Sequence, residues 1–346
     1  MAWRWIDAAD ERAWGEALDR VGGADVYYER AYVKTLEDRG EGSPFLLHVA
    51  QDGVDIVTAY LCRELPLGAD DGCDLMTPYG YGGPVVSEGT HRRRISFEPG
   101  DAMREFGAVS EFVRFHPVLE TWKNAPGRMD VAAISETVLW DLSPSDLRVG
   151  MSETCRKNLG WAEKKGVTTD FAATDGAGEF AGLYRETMQR RAAADYYLFA
   201  DAYFDQLANG FRGRSWFAFA RVDGRIAAAA LILKDLAGET IHYHLGASDH
   251  ALRSFCATHK LLFDIATRAR DIGVRRFHLG GGTAPGDSLF AFKAGFTPGR
   301  RPFHVGKRVH RADAYDALVK MRRERGPIRP NYFPEYRAPD EGGSTS

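Results

Sequence analysis

The sequence predicts an α+β protein in which one mixed helix-and-sheet plan occurs twice. Three observations predict it. A chain of 346 residues is long enough for two domains, each with its own core. Each half carries helical patterns followed by a hairpin signal, Asp52-Gly53 in the first and Asp223-Gly224 in the second, each between apolar runs. The second half then continues as strand, helix, strand, helix, strand.

In order, the chain opens with a short strand, then helices near Asp10–Arg20 and Arg30–Arg39. Phe45–Val49 and Val54–Leu61 form the first hairpin, and Leu65 to Gly83, rich in Gly, Pro and Asp, reads as loop. Glu111–Phe115 and Val131–Leu142 read as strands, the first ended by Pro117 and the second leading to a boundary near Ser143-Pro144. Ser152 can cap a helix to Lys165 whose Arg156, Lys157, Lys164 and Lys165 make it basic. Helices over Gly178–Arg191 and Ala200–Asn209 precede the second hairpin, Trp216–Val222 with Arg225–Leu233. Ile241–Leu245 continues that sheet, Thr258–Asp271 is an amphipathic helix, and Asp313–Arg325 is the last helix. The predicted domains are 1–145, rejoined by residues 312–337, and 146–311, with 338–346 a disordered tail.

Composition narrows the function. Apolar residues make up 44% and charged residues 27%, an ordinary soluble composition, and a net charge of −3 argues against a protein that coats nucleic acid. No apolar run approaches the roughly 20 residues that span a bilayer, and the acids and tryptophans of the N-terminus do not suit a signal peptide, so a cytoplasmic monomer is expected. Cys62, Cys73, Cys155 and Cys256 form no CxxC pair and the ten histidines no ligand spacing, so neither a disulfide framework nor a metal is predicted.

The most informative stretch is Val274–Pro298. Phe277 and Leu279 alternate with polar positions as a half-buried strand does, Gly280, Gly281 and Gly282 allow a sharp bend, and Asp287 can cap a short helix ended by Gly295. Leu289, Phe292, Lys293 and Phe296 share one face of that helix. A lysine there either snorkels to water or aims its ammonium into a pocket.

The run LGGG followed by DSLFAFKAGF resembles the C-terminal signature of the Fem-type transferases, relatives of the GNAT acyltransferases, some of which build peptidoglycan cross-bridges from aminoacyl-tRNA. Further stretches resemble the same family in the same order: TPYGYGGP at Thr77–Pro84, FVRFHPVL at Phe112–Leu119, RKNLGWAEKKGV at Arg156–Val167, MQRRAAADYYLF at Met188–Phe199, YHLGAS at Tyr243–Ser248 and GKRVH at Gly306–His310. The resemblance spans residues 77 to 310 and implies two tandem GNAT-like domains, the acyl-CoA N-acyltransferase fold, in which a mainly antiparallel sheet splays between two central strands.

It also implies a chemistry. Amide formation by acyl transfer needs a deprotonated amine, a positioned donor carbonyl and a group that offsets oxyanion charge, with no covalent enzyme intermediate. In the family, the lysine of the FKxGF motif lies by the reaction centre and is thought to stabilise negative charge, which assigns that role to Lys293. Tyr243 is the second catalytic candidate, a proton relay or acceptor guide, with a strand-edge tyrosine as the plain alternative. Arg190, Tyr196 and Tyr197 match the acceptor-binding segment, with Tyr79, Tyr81 and Phe292 as further substrate-binding candidates. Arg253, Gly281 and Gly282 are the donor-binding candidates. No general base is named.

The expected donor is aminoacyl-tRNA, with no bound cofactor, and the expected acceptor is an amine on a peptide, including a UDP- or lipid-linked peptidoglycan precursor. Acetyl-CoA is the alternative donor, but Ser248–Lys260 contains no glycine where CoA-dependent relatives carry a glycine-rich turn at a helix N-terminus. A non-catalytic binding protein on the same fold is a second alternative. The basic helix 152–165 would give RNA phosphates a partner, although such a face is more often simply solvated.

Overall fold

The computed structural model of the chain describes residues 1–68, 72–87, 97–191 and 193–341. It divides into two compact units, Met1–Ile134 with the residues from Phe303 onward, and Ser135–Pro302. The Ser143-Pro144 turn therefore lies inside the second unit.

The first unit opens with β1 (Ala2–Asp7) and two helices, α1 (Glu11–Arg20) and α2 (Arg30–Glu37). Asp10 caps α1 by accepting from the Ala13 N–H. The hairpin of β2 (Ser43–Gln51) and β3 (Val54–Glu64) turns at Asp52 and Gly53, with φ of 52° and 77°, the doubly left-handed geometry that a two-residue hairpin favours. Next come β4 (Cys73–Met76), β5 (Val85–Val86), α3 (Gly100–Phe106), β6 (Ala108–Arg114) and β7 (Asp130–Asp141), within which the chain passes to the second unit. The region read as loop after Leu65 thus contains a strand. β4 is buried at all four residues, antiparallel to β3 and parallel to β6, so sheet pairing on both edges overrides its glycine- and aspartate-rich surroundings.

In the second unit follow α4 (Glu153–Lys164), β8 (Thr168–Ala172), α5 (Ala177–Arg190), α6 (Asp201–Gly210), β9 (Ser215–Val222), β10 (Arg225–Lys234), β11 (Thr240–Ser248), α7 (Ala257–Asp271), β12 (Arg276–Gly280) and α8 (Ser288–Ala294). Ser152 caps α4 as its position predicts. The β9–β10 turn repeats the first hairpin, with φ of 48° at Asp223 and 79° at Gly224. The strand order is β7-β12-β11-β10-β9-β8. Its pairs are antiparallel except β11–β12, which run parallel from Thr240–His242 against Arg276–His278 and then part. The apolar faces of α4 and α7 close the core of this unit, with Leu159, Leu261, Leu262 and Ile265 packed against Trp140, Ala218, Ala230 and Phe277.

β13 (Arg300–Val309) brings the chain back into the first unit, where its end pairs with β6 from Val305 to Val309, and α9 (Ala312–Glu324) follows. The sheet there runs β1-β2-β3-β4-β6 and then this end of β13. α9 covers it through Tyr315 and Leu318, which join Leu65, Val109 and Tyr336 in a small apolar cluster. The expected disorder of 338–346 does not hold for residues 338–341. Ala338 is buried, its carbonyl accepts from Arg322 Nε, and Asp340 pairs with Arg322. The rest of that tail lies outside the described residues. Among those described, no helix is long and apolar enough to cross a membrane.

Candidate functional site

α8 is too short to persist alone, so its ends must be held by specific contacts. Asp287 holds one of them. Its Oδ1 accepts from the Phe290 N–H, and its Oδ2 accepts from the Thr283 N–H, the Thr283 hydroxyl and the Ala284 N–H. These bonds, the Thr283 hydroxyl foremost, keep the Asp287 carboxyl well below the usual carboxylate range. Gly282 is what lets the loop close, because a Cβ there would stand 2.1 Å from Asp287 Oδ1. Gly281 passes close to β7, where a Cβ would meet the Glu136 carbonyl at 3.1 Å. The contacts of these two glycines are therefore those of backbone packing and turn formation. Only Gly280 of the three has a left-handed φ, 73°, and Gly295 ends α8 in right-handed geometry.

Lys293 sits on the inner face of α8 with 8% of its surface exposed. It does not snorkel. Its Nζ donates to the Gly281 carbonyl at 2.6 Å and stands 5.6 Å from the centre of the Tyr243 ring. Burial lowers its pKa to about 8, with the Asp287 carboxylate opposing that fall. Tyr243 and Gly281 each follow the last residues that join β11 to β12, so the ammonium group lies where those strands part.

Tyr243 owes its position to two features that lie beyond simple strand alternation. Across β10, Leu231 pairs with Leu245 and Ile232 with Tyr243, which leaves His244 as an extra, bulged residue. The Tyr243 hydroxyl then lies over Gly246, where any Cβ would stand 1.7 Å from it. Burial pushes the phenol up to about 12, so it is neutral and able to donate a hydrogen bond. The bulge also turns His244 to Tyr203, whose hydroxyl lies 2.9 Å from His244 Nε2, and burial drives the imidazole down to about 3. Gly246, His244 and Tyr203 were not among the sequence candidates, because a bulge leaves no mark in the periodicity.

The remaining candidates are less concentrated. Arg190 is exposed and donates to the Ser248 carbonyl at the end of β11, beside the Thr187 hydroxyl that accepts from the Ser248 N–H. Tyr196 and Tyr197 meet edge to face in a tight turn, and Tyr197 is 40% exposed. Phe292 packs edge to face on His259 and Phe296, so the contacts it makes are core contacts. Arg253 is exposed and folds back on His250. The segment around it is a 3-10 turn, His250–Phe255, ended by Cys256 at φ 53°, a left-handed geometry unusual for a residue with a side chain.

Tyr79 and Tyr81 belong to the first unit. Tyr81 is wedged among Tyr27, His116 and Phe303, each edge to face, and burial pushes its phenol up. The Tyr79 carbonyl accepts from the Tyr32 hydroxyl. Gly80, at φ 97°, leaves room for the Tyr27 ring, 2.4 Å from where a Cβ would be.

Comparison with known proteins bears on the fold that carries these residues. Residues 151–294 match the family model described as an acetyltransferase (GNAT) domain, a stretch that includes Tyr243 and Lys293. FemX has a similar structure, with a TM-score of 0.64 and 14% identity over 92% of this chain and 99% of that one. A protein assigned as a lysylphosphatidylglycerol synthetase from Agrobacterium fabrum is similar in its C-terminal domain, with a TM-score of 0.55 and 18% identity over 89% and 96%. L-PGS from Bacillus licheniformis gives a TM-score of 0.53 and 14% identity over 86% and 92%. No curated protein matches the chain in sequence. The Fem and GNAT resemblance of the motifs therefore holds at the level of fold.

Proposed function

We propose that this protein forms an amide bond by moving an aminoacyl group from aminoacyl-tRNA to an amine on a peptide, including a peptidoglycan-precursor-like acceptor. One observation carries the reading: a lysine buried to 8% exposure, hydrogen-bonded among the described residues only to the Gly281 carbonyl, beside a neutral tyrosine where two parallel strands part. Burying an ammonium costs stability, so its retention at a gap in the sheet is better explained by chemistry than by packing.

In the proposed step, the neutral amine attacks the ester carbonyl carbon of the donor. A carbon–nitrogen bond forms and the carbonyl oxygen gains negative charge, which the Lys293 ammonium offsets. The intermediate then collapses, the carbon–oxygen bond to the ribose breaks, and a proton from the amine reaches the departing ribose oxygen. Tyr243, neutral across the working range, orients the amine or passes that proton. Arg190, Tyr196 and Tyr197 are proposed to contact the acceptor.

Two features support a tRNA donor. The segment from Ser248 to Cys256 is glycine-free, and its left-handed residue is a cysteine. The exposed face of α4 joins Arg156, Lys157, Lys164 and Lys165 to Trp161, which is 44% exposed and has Lys165 over its ring. The acetyltransferase description of the matching family favours a second reading, a CoA thioester as donor. The test is to incubate the purified protein with an amine-bearing peptide and, separately, charged tRNA or acetyl-CoA. Peptide-dependent deacylation of the tRNA that ribonuclease abolishes is expected. Product from the thioester in ribonuclease-treated samples would select the second reading.

A further inference from the structure

The first unit holds a cavity of about 350 Å³ that the acyl-transfer reading does not use. Arg104, Arg128, Lys307, Arg308 and His310 line it, with Asp130 as the one carboxylate among its described lining residues. In a chain of net charge −3 such a cluster runs against the overall balance. Two of its walls are fixed from behind. Arg308, its side chain 9% exposed, is held by Glu98, and His310, at 2%, is held by the buried Glu111, which also accepts from the Tyr60 hydroxyl. Arg104 is paired with Asp101. Arg128 and Lys307 have no carboxylate partner among the described residues, and Lys307 is steadied by the Phe333 ring beneath its ammonium.

We infer that this cavity is a second binding site, for a small molecule that carries a phosphate or pyrophosphate group. With Arg308, His310 and Arg104 each met by a carboxylate, the donors left for a ligand are chiefly the Arg128 fork and the Lys307 ammonium, and a phosphate offers them several acceptor oxygens and about two negative charges. The volume falls at the lower end of the range for small-molecule sites, above what a bare oxyanion fills. Asp130 repels the anion itself and accepts from hydroxyl groups, so the phosphate is carried on a hydroxyl-bearing body. The site lies wholly within the first unit and does not depend on Lys293.

The test is calorimetric titration of the full chain with inorganic pyrophosphate and, separately, with ADP. Saturable binding is expected for both, weakening as salt is added. Tighter binding of ADP than of pyrophosphate is expected, and equal binding would remove the hydroxyl-bearing body from the inference. The double variant Arg128→Gln, Lys307→Gln is expected to bind at least roughly tenfold more weakly with nearly unchanged melting, because neither residue has a carboxylate partner among the described residues. Lys293→Ala should bind like the wild type, which separates this site from the acyl-transfer reading. Failure of both probes to saturate at millimolar concentration, or wild-type affinity in the folded double variant, would overturn the inference.

Discussion

Lys293 keeps its proton against its surroundings, and that tension has two measurable consequences. The folded chain releases the proton near 8 and the unfolded chain near 10.5. Between those values the unfolded state binds more protons, so stability rises with pH across that window, by about 3 kcal/mol in all. Lys293→Met should remove this climb, which denaturant titrations at pH 7.5 and at pH 10 would measure (conditions roughly bracketing the window). Turnover should move the opposite way. If the cation is the active form, the rate falls as pH rises through about 8. A rate that climbs through the same region with an acceptor whose amine is already neutral there, and that loses this climb in Lys293→Met, would make Lys293 a base instead. The lysine was legible in the sequence because its spacing from Leu289, Phe292 and Phe296 puts it on an apolar face. Its hydrogen-bond acceptor was not, since the carbonyl of Gly281 reaches it only through a loop that Asp287 folds.

At the scale of elements, that loop and the bulge of β11 decide whether the site exists. Asp287→Ala removes the cap of α8 and the three bonds to Thr283 and Ala284. Faster amide exchange over residues 283–290 and a loss of turnover are expected; unchanged exchange would show that α8 is held by packing alone. Because its carboxyl is held below the ordinary range, the contribution of Asp287 is present at neutral pH and fades only in acid. Gly246→Ala tests the other element. Its φ is not left-handed, so the backbone accepts alanine, but the new Cβ would take the place of the Tyr243 hydroxyl. Turnover should fall by roughly tenfold or more with the far-ultraviolet spectrum unchanged. Retained turnover would remove the phenol from the chemistry. Both hairpins were legible, because Asp-Gly between apolar runs specifies their left-handed turns. β4 was not, because four residues carry too little alternation to outweigh the turn-forming residues around them. The β11 bulge was invisible for a related reason: it breaks the period that makes a strand readable.

At the scale of the whole chain, the C-terminal segment is a working part of the first unit. Asp74 is fully buried, and its carboxylate accepts from the Ser110 hydroxyl at 3.0 Å, from Tyr336 and from Arg337. A chain that ends at Gly326 would leave that carboxylate with the Ser110 hydroxyl and Arg63, 3.7 Å away, and should lose about 3–5 kcal/mol in denaturant unfolding. An unchanged midpoint would show that the segment only rests on the surface. The sequence reading assigns residues 312–337 to the first domain, but the hydrogen bonds of Tyr336 and Arg337 to Asp74 were not legible, since that partner lies more than 200 residues away.

The reading of function depends on the ammonium of Lys293 taking part in amide formation. The most direct test measures product from charged tRNA and an amine-bearing peptide, with the wild type and with Lys293→Ala at matched circular dichroism. Loss of turnover by roughly a hundredfold or more in the variant is predicted. A folded Lys293→Ala protein that makes product at the wild-type rate would contradict it.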